Sequence, residues 1–389
     1  MLFNAPALGP HELGVIDEIA NLAERLRVRL HEPHRWFGSL RREQFARAVQ
    51  GSNSIEGFDA PVDDAAAIEL GQAPLDADDE TRLAIKGYGD AMTYVLQLST
   101  EPSFQYDEQL LKSLHFMMTS YDLKNRPGLW RAGDIYVRND ESGAVVYQGP
   151  DVDDVPTLMH ELVLDLNVDN DLPAMVRAGM AHLNLVMVHP FRDGNGRMAR
   201  CLQTLVLARQ GILSPVFCSI EEHLGRNTQA YYDVLAEVGR GTWQPRGNAM
   251  PWVRFILTAH LRQARTTQRR IRESERLWGE LEMLVAARGL PERTMVVLYD
   301  AAIRYRVRNG TYRAILAEAD DDITDQVASR DLRLLTTAGL LVPHGVARGR
   351  YYRASKELAA IRTKIIGDRD PRDDSDPLAG ASRHVHRAR

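Results

Sequence analysis

Apolar residues recur at helical spacing along most of the chain, which predicts a mainly α fold. Leu13 to Val28 and Arg41 to Ser54 read as amphipathic helices. The second stops at Gly57, a residue suited to a left-handed cap. The acidic stretch Gly71 to Asp79 reads as a loop. Helices follow over Glu80 to Leu98 and Tyr106 to Met118, the latter with Leu110, Leu114 and Met117 on one face. The period then changes. Asp134 to Val137 and Ala144 to Gln148 are short β-prone runs around the turn-forming cluster Asn139 to Gly143, a pattern that predicts a β-hairpin. Helical spacing returns over Val155 to Leu166 and Ala174 to Val188, where Pro173 suits the first turn. Further helices read from about Arg197 to Gln210, Asn227 to Val238 and Trp252 to Ala287. From Leu290, three helices precede Leu340 to Ala354, which reads as two strands around a Gly/Pro turn. The tail from Gly367 is rich in Asp, Arg and Pro, has little to bury, and is expected to be disordered.

Composition narrows the class. The 389 residues suggest two or three domains, and the 44% hydrophobic and 26% charged fractions are those of a globular chain. A net charge of −5 excludes a uniformly basic nucleic-acid binder, though not a local basic patch. No apolar run approaches the roughly 18 residues of a membrane span. The first residues lack the basic and apolar regions of a signal peptide. Cys201 and Cys218 are too few for a disulfide framework or a thiolate zinc site. A cytoplasmic protein without a membrane partner is expected.

The chemistry concentrates in His189-Pro190-Phe191-Arg192-Asp193-Gly194-Asn195-Gly196-Arg197-Met198-Ala199-Arg200, which joins two predicted helices. Gly194, Asn195 and Gly196 suit left-handed dihedrals that turn successive backbone N–H groups inward as an anion nest. The nest sits at a helix N-terminus, where the dipole also favours an anion. Arg197 and Arg200, three residues apart, share a face in what reads as the first turn of that helix and can grip neighbouring phosphates. Asp193 is a hard oxygen ligand suited to Mg²⁺. His189 titrates near neutrality and can take a proton from an attacking hydroxyl. Phe191 reads as a core anchor for the loop. Base, metal ligand, nest and two arginines together suit transfer at phosphorus.

These residues match HPFx[D/E]GNGRxxR at every fixed position, and over roughly Leu13 to Leu261 the chain resembles the Fic family. The resemblance implies a helical core with a β-hairpin flap, and transfer of AMP from ATP to a Tyr, Ser or Thr hydroxyl of a protein target or of the chain itself. It implies that His189 is the general base and that Asp193 holds Mg²⁺ across the α- and β-phosphates. Gly194, Asn195 and Gly196 would bind phosphates through backbone and amide contacts. Arg197 would stabilise leaving pyrophosphate, and Arg200 would bind the γ-phosphate. Ser52-Asn53-Ser54-Ile55-Glu56-Gly57 fits the family's inhibitory pattern [ST]xxxE[GN], which implies that Glu56 pairs with Arg200 and displaces the γ-phosphate. Arg226 to Tyr232 resembles the segment lining the nucleotide pocket. Tyr231 and Tyr232 read either as base or ribose contacts or as core tyrosines of one helix. Many relatives carry Asn seven residues after the second Tyr, whereas this chain has Gly239.

Thr311 to Ala354 resembles a winged helix-turn-helix, with Asp325 to Thr337 as the recognition-type helix and Gly345 to Arg350 as the wing. Arg330, Arg333, Arg348, Arg350 and Arg353 suit phosphate contacts to DNA, while protein docking or homodimerisation is the other reading of such a unit. The expected division is an N-terminal helical region over 1–100, a catalytic core over 101–262, a linking helix over 263–289, a winged-helix-like domain over 290–366 and a disordered tail over 367–389. Two competing functions stay open. One is transfer of another nucleotide or removal of AMP. The other is a DNA-binding regulator whose Fic core acts as a sensor.

Overall fold

The computed structural model describes residues 1–31, 35–138, 143–169, 171–211, 217, 219–371, 373 and 375–379. Among the described residues the chain is mainly helical, with two small hairpins. The N-terminal helices are α1 (Pro10–His31), α2 (Phe37–Ile55), α3 (Val62–Glu69), α4 (Asp79–Leu98) and α5 (Glu108–Thr119). Strands β1 (Tyr136–Arg138) and β2 (Val145–Gln148) form an antiparallel pair, and α6 (Val155–Asn167), α7 (Ala174–Val188) and α8 (Asn195–Arg209) follow. Helices α9 (Glu221–Arg226), α10 (Thr228–Gly239) and α11 (Met250–Ala287) complete the first body. The C-terminal unit holds α12 (Met295–Ala302), α13 (Asn309–Ala317), α14 (Asp325–Thr337), the antiparallel pair β3 (Leu341–His344) and β4 (Tyr351–Ala354), and α15 (Lys356–Gly367). No helix among the described residues is long and apolar enough to cross a membrane.

Local chemistry explains several boundaries. Asp78, Asp107 and Ser355 each accept a backbone N–H three residues on, capping α4, α5 and α15. Gly57 takes φ +84° after α2, the left-handed conformation that ends a helix at little cost. Helix α3 lies where the short Ala-rich segment 62–69 offers only two turns of pattern. Its buried Asp64 carboxylate accepts the backbone N–H groups of Leu75, Asp76 and Ala77, closing the loop that follows.

Two apolar cores share α11. At the helical rise its 38 residues span about 57 Å. Trp252, Ile256 and Leu261 on its first half pack with α7 and α8 in the larger core. Ile271, Leu277, Trp278 and Leu281 on its second half pack with the C-terminal unit. Leu26, Trp36 and Leu40 of the N-terminal region join that second core. The docking is also ionic: Arg306 pairs with Asp63, Asp64 and Asp76 around α3.

In the described part of the tail, Leu378 is buried against the larger core, Arg265 pairs with Asp373 at 2.8 Å and Arg276 with Asp368 at 2.7 Å. Cys218 and the hairpin tip at 139–142 lie outside the described residues.

Candidate active site

The site is a turn between two helices of the larger core. Helix α7 ends at His189, whose φ of +52° is left-handed, and α8 starts after Gly194, also left-handed at φ +72°. A histidine in that region is strained, and surrounding structure must hold it. Arg131 does so, donating from Nε to the His189 carbonyl at 3.0 Å, from Nη1 to Gly133 O and from Nη2 to Pro150 O. Phe191 is fully buried and stacks on His115 with ring centroids 3.7 Å apart. His115 accepts the Gly128 N–H at Nδ1, so its Nε2 carries the proton donated to Asp193 O at 2.9 Å. Burial holds the His115 pKa down to about 4, keeping this strut neutral. Neither Arg131 nor His115 announces itself in sequence. Each acts on backbone atoms of a distant loop.

The nest differs from the expected one. Gly194 alone is left-handed. Asn195 and Gly196 already belong to α8, so the anion site is a helix N-terminus entered through one left-handed glycine. A Cβ on Gly194 would lie 2.9 Å from Thr119 Cγ2. The Asn195 side chain is engaged with the loop itself. Its Oδ1 accepts Phe191 N–H at 2.9 Å and its Nδ2 donates to Phe191 O at 3.0 Å, stapling the loop. The earlier helix start also puts Arg200 on the second turn rather than the first.

His189 is poised as a base. Its Nδ1 lies 3.0 Å from the Val186 carbonyl, which can only accept, so Nδ1 carries the proton and Nε2 keeps its lone pair. Burial lowers its pKa from the ordinary value, partly offset by that carbonyl and by Glu56. Asp193 leaves 45% of its side chain exposed and lies 3.5 Å from Arg197 Nη2. Among the described residues no group of three or more His, Cys, Asp or Glu can hold a metal. A cation at Asp193 would complete its shell with phosphate oxygens and water, which is the set Mg²⁺ favours.

Both arginines are buried and both are held by residues 52–58. Arg200 Nη2 bonds Glu56 Oε1 at 2.7 Å and Ser52 O at 2.9 Å, and Arg200 Nε bonds Ser52 Oγ at 2.8 Å. A Cβ on Gly196 would fall 2.3 Å from Glu56 Oε1, so the carboxylate occupies the space above the start of α8. Burial opposes the Glu56 charge, but Arg200 and Arg197 outweigh it and lower its pKa. Arg197 lies under the Phe58 ring, 5.1 Å from its centroid, and reaches Tyr121 Oη at 3.2 Å.

Tyr231 and Tyr232 divide the two readings made of them. Tyr231 is buried, and its hydroxyl meets His182 Nε2 at 2.9 Å in the core. Tyr232 is 46% exposed and donates to Ile55 O at 2.9 Å, pinning the last residue of α2. Gly239 also has a reason. A Cβ there would meet the Tyr147 ring at 3.2 Å, and Tyr147 of β2 donates to Met187 O at 2.8 Å. The hairpin therefore sits where a larger residue at 239 would stand. Residues 241–243 extend that contact: Gln148 N–H donates to Gly241 O, and Gln148 O accepts from Trp243 N–H.

A helical core, a hairpin beside the interhelical loop and a base facing a helix N-terminus are the features of a Fic domain. Residues 105–207 match the family model described as the Fic/DOC family, and the chain carries that domain. Similar curated proteins include the protein adenylyltransferase Fic of Nematostella vectensis. It is 25% identical over 250 residues, covering 59% of this chain and 48% of that protein. Another is the protein adenylyltransferase fic-1 of Caenorhabditis elegans, 40% identical over 80 residues, covering 21% of this chain and 13% of that protein. The chain thus matches about half or less of the length of these relatives. Among solved structures, a Fic family protein from Desulfovibrio desulfuricans matches with TM-score 0.57 and 21% identity, covering 90% of this chain and 98% of that one. A Fic domain containing signaling protein from Bacteroides thetaiotaomicron matches with TM-score 0.54 and 20% identity, covering 65% and 95%. These likenesses establish the fold.

Proposed function

We propose that this chain is a protein adenylyltransferase that transfers AMP from ATP to a hydroxyl of a protein target or of itself, and that Glu56 restrains it. The observation that carries the reading is the pairing of an unprotonated His189 Nε2 with a helix N-terminus two arginines deep, the second of them held by Glu56. In this reading His189 Nε2 removes the proton of the acceptor hydroxyl as its oxygen attacks the α-phosphorus. The bond to pyrophosphate breaks, and charge on the leaving group falls to Arg197, Arg200 and the α8 N-terminus. Mg²⁺ held by Asp193 would neutralise phosphate charge. Glu56 engages Arg200 and fills the space above Gly196, so the γ-phosphate has neither its cation nor its room. The intact Gly194 and Gly196 favour AMP over other groups, and the printed names of the curated relatives support the same choice. Incubation of the Glu56→Gly chain with α-labelled ATP, CTP, GTP or UTP and Mg²⁺ tests the reading. Label on protein from ATP supports it, and no label from any nucleotide rejects it.

A further inference from the structure

Away from the Fic loop, a cavity of about 200 Å³ opens where α2, α11, α12 and α15 meet. Six arginines line it: Arg47, Arg226, Arg269, Arg270, Arg362 and Arg369. Three carboxylates answer them. Glu43 pairs with Arg47 at 2.8 Å. Glu222 pairs with Arg270 and Arg226, each at 2.6 Å. Glu273 pairs with Arg369 at 2.5 Å and lies 3.9 Å from Arg269. Of the nearby acidic residues of the tail, Asp368 pairs with Arg276 and Asp373 with Arg265.

Arg362 of α15 marks the imbalance. It is partly buried, and among the described residues it makes no hydrogen bond or ion pair. Burial lowers its pKa, and Arg47, Arg304 and Arg369 add to the effect, while Glu43 opposes it. Its charge therefore faces more cations than carboxylates, with Glu43 set against Arg47, Arg304 and Arg369, and an anion placed beside it would relieve that repulsion. A phosphate oxygen set is the natural complement: planar guanidinium groups bind it through paired hydrogen bonds.

We propose that this cavity is a binding site for a compact phosphate anion, of the size of pyrophosphate. The site joins α2, which carries Glu43 and Arg47 and ends at Glu56, to α15 of the C-terminal unit. A bound anion bridges Arg362 to the arginines of α2 and α11, so occupancy ties the C-terminal unit to the helix that carries the restraining carboxylate.

Calorimetry and thermal unfolding of the full chain with sodium pyrophosphate test the site. ADP is run in parallel. Because pyrophosphate also suits the Fic loop, Arg200→Ala separates the two locations. The proposal expects binding and a raised Tm in the wild type, both retained in Arg200→Ala. Arg362→Gln should bind about tenfold more weakly, the loss of one charge-assisted anchor, and Arg362→Lys should fall between. The Tm of Arg362→Gln without ligand should equal or exceed that of the wild type, which shows that it folds. Equal responses to ADP and pyrophosphate mean that phosphate alone is read. A stronger response to ADP means that the nucleoside is read as well, and either supports the site. Wild-type binding by Arg362→Gln, loss of binding in Arg200→Ala, or no binding by any protein overturns it.

Discussion

Glu56 Oε1 lies 2.7 Å from Arg200 Nη2, directly over the backbone of Gly196. In the proposed function, one carboxylate therefore takes both things that a terminal phosphate would need at the start of α8. Ser52, four residues earlier and one turn back on α2, completes the hold through its hydroxyl and its carbonyl. Ser52→Ala removes a hydrogen bond to a charged group, a loss of about 1.5–3 kcal/mol. The expected outcome is higher basal label transfer than wild type and lower than Glu56→Gly, read by incorporation from α-labelled ATP. Basal transfer at the wild-type level would show that Ser52 takes no part in the restraint.

Helix α2 is wedged rather than loosely laid on the core. A Cβ on Gly51 would stand 2.7 Å from Glu221 O, and one on Gly225 would stand 2.6 Å from Gly51 O. Alanine at either position forces α2 and α9 apart, and overpacking of this kind costs about 1–3 kcal/mol. Gly51→Ala is predicted to lower Tm and to raise basal transfer together, because the displaced helix carries Glu56. A lower Tm with unchanged transfer would separate α2 packing from the restraint.

Tyr232 links α10 to the end of α2 through its bond to Ile55 O. Tyr232→Phe deletes only that hydroxyl. The net worth of such a bond, about 1 kcal/mol, corresponds to roughly fivefold. Basal transfer should rise by up to that factor in the otherwise wild-type chain and stay unchanged in the Glu56→Gly background. A fall in both backgrounds would place Tyr232 on the nucleotide instead.

As the proposed base, His189 would set a pH profile. It must be neutral to accept a proton, and burial depresses its pKa below 6.5. Transfer by Glu56→Gly should rise with pH through a midpoint below 6.5 and then level off. The charge of Glu56 raises the His189 pKa, so its removal moves the acid limb further down, not up. A midpoint above 6.5 in the Glu56→Gly profile contradicts the assignment of His189 as a buried, readily neutral base.

How far the site was readable from sequence depends on where its partners lie. The loop from His189 to Arg200 was legible because its chemistry is contiguous, and Glu56 because a short pattern accompanies it. The hairpin and most helices were legible through their period. Helix α3 was missed because eight residues carry too little periodicity, and the struts His115 and Arg131 because they serve backbone atoms 58 to 78 residues away. The structural part of Asn195 was not legible: its amide closes the loop on Phe191 through one bond to Oδ1 and one from Nδ2, which its place in the motif does not announce. Gly239 looked like a lost contact, and the Tyr147 ring shows it to be a packing position.

The central claim is that one carboxylate restrains a complete transferase site, and label transfer from ATP tests it most directly. Wild type, Glu56→Gly, His189→Ala and the double variant are incubated with α-labelled ATP and Mg²⁺, and protein-bound label is measured. The account predicts little label on wild type, much more on Glu56→Gly, and none on either chain lacking His189. Equal label on wild type and Glu56→Gly, or label that survives His189→Ala, would contradict it.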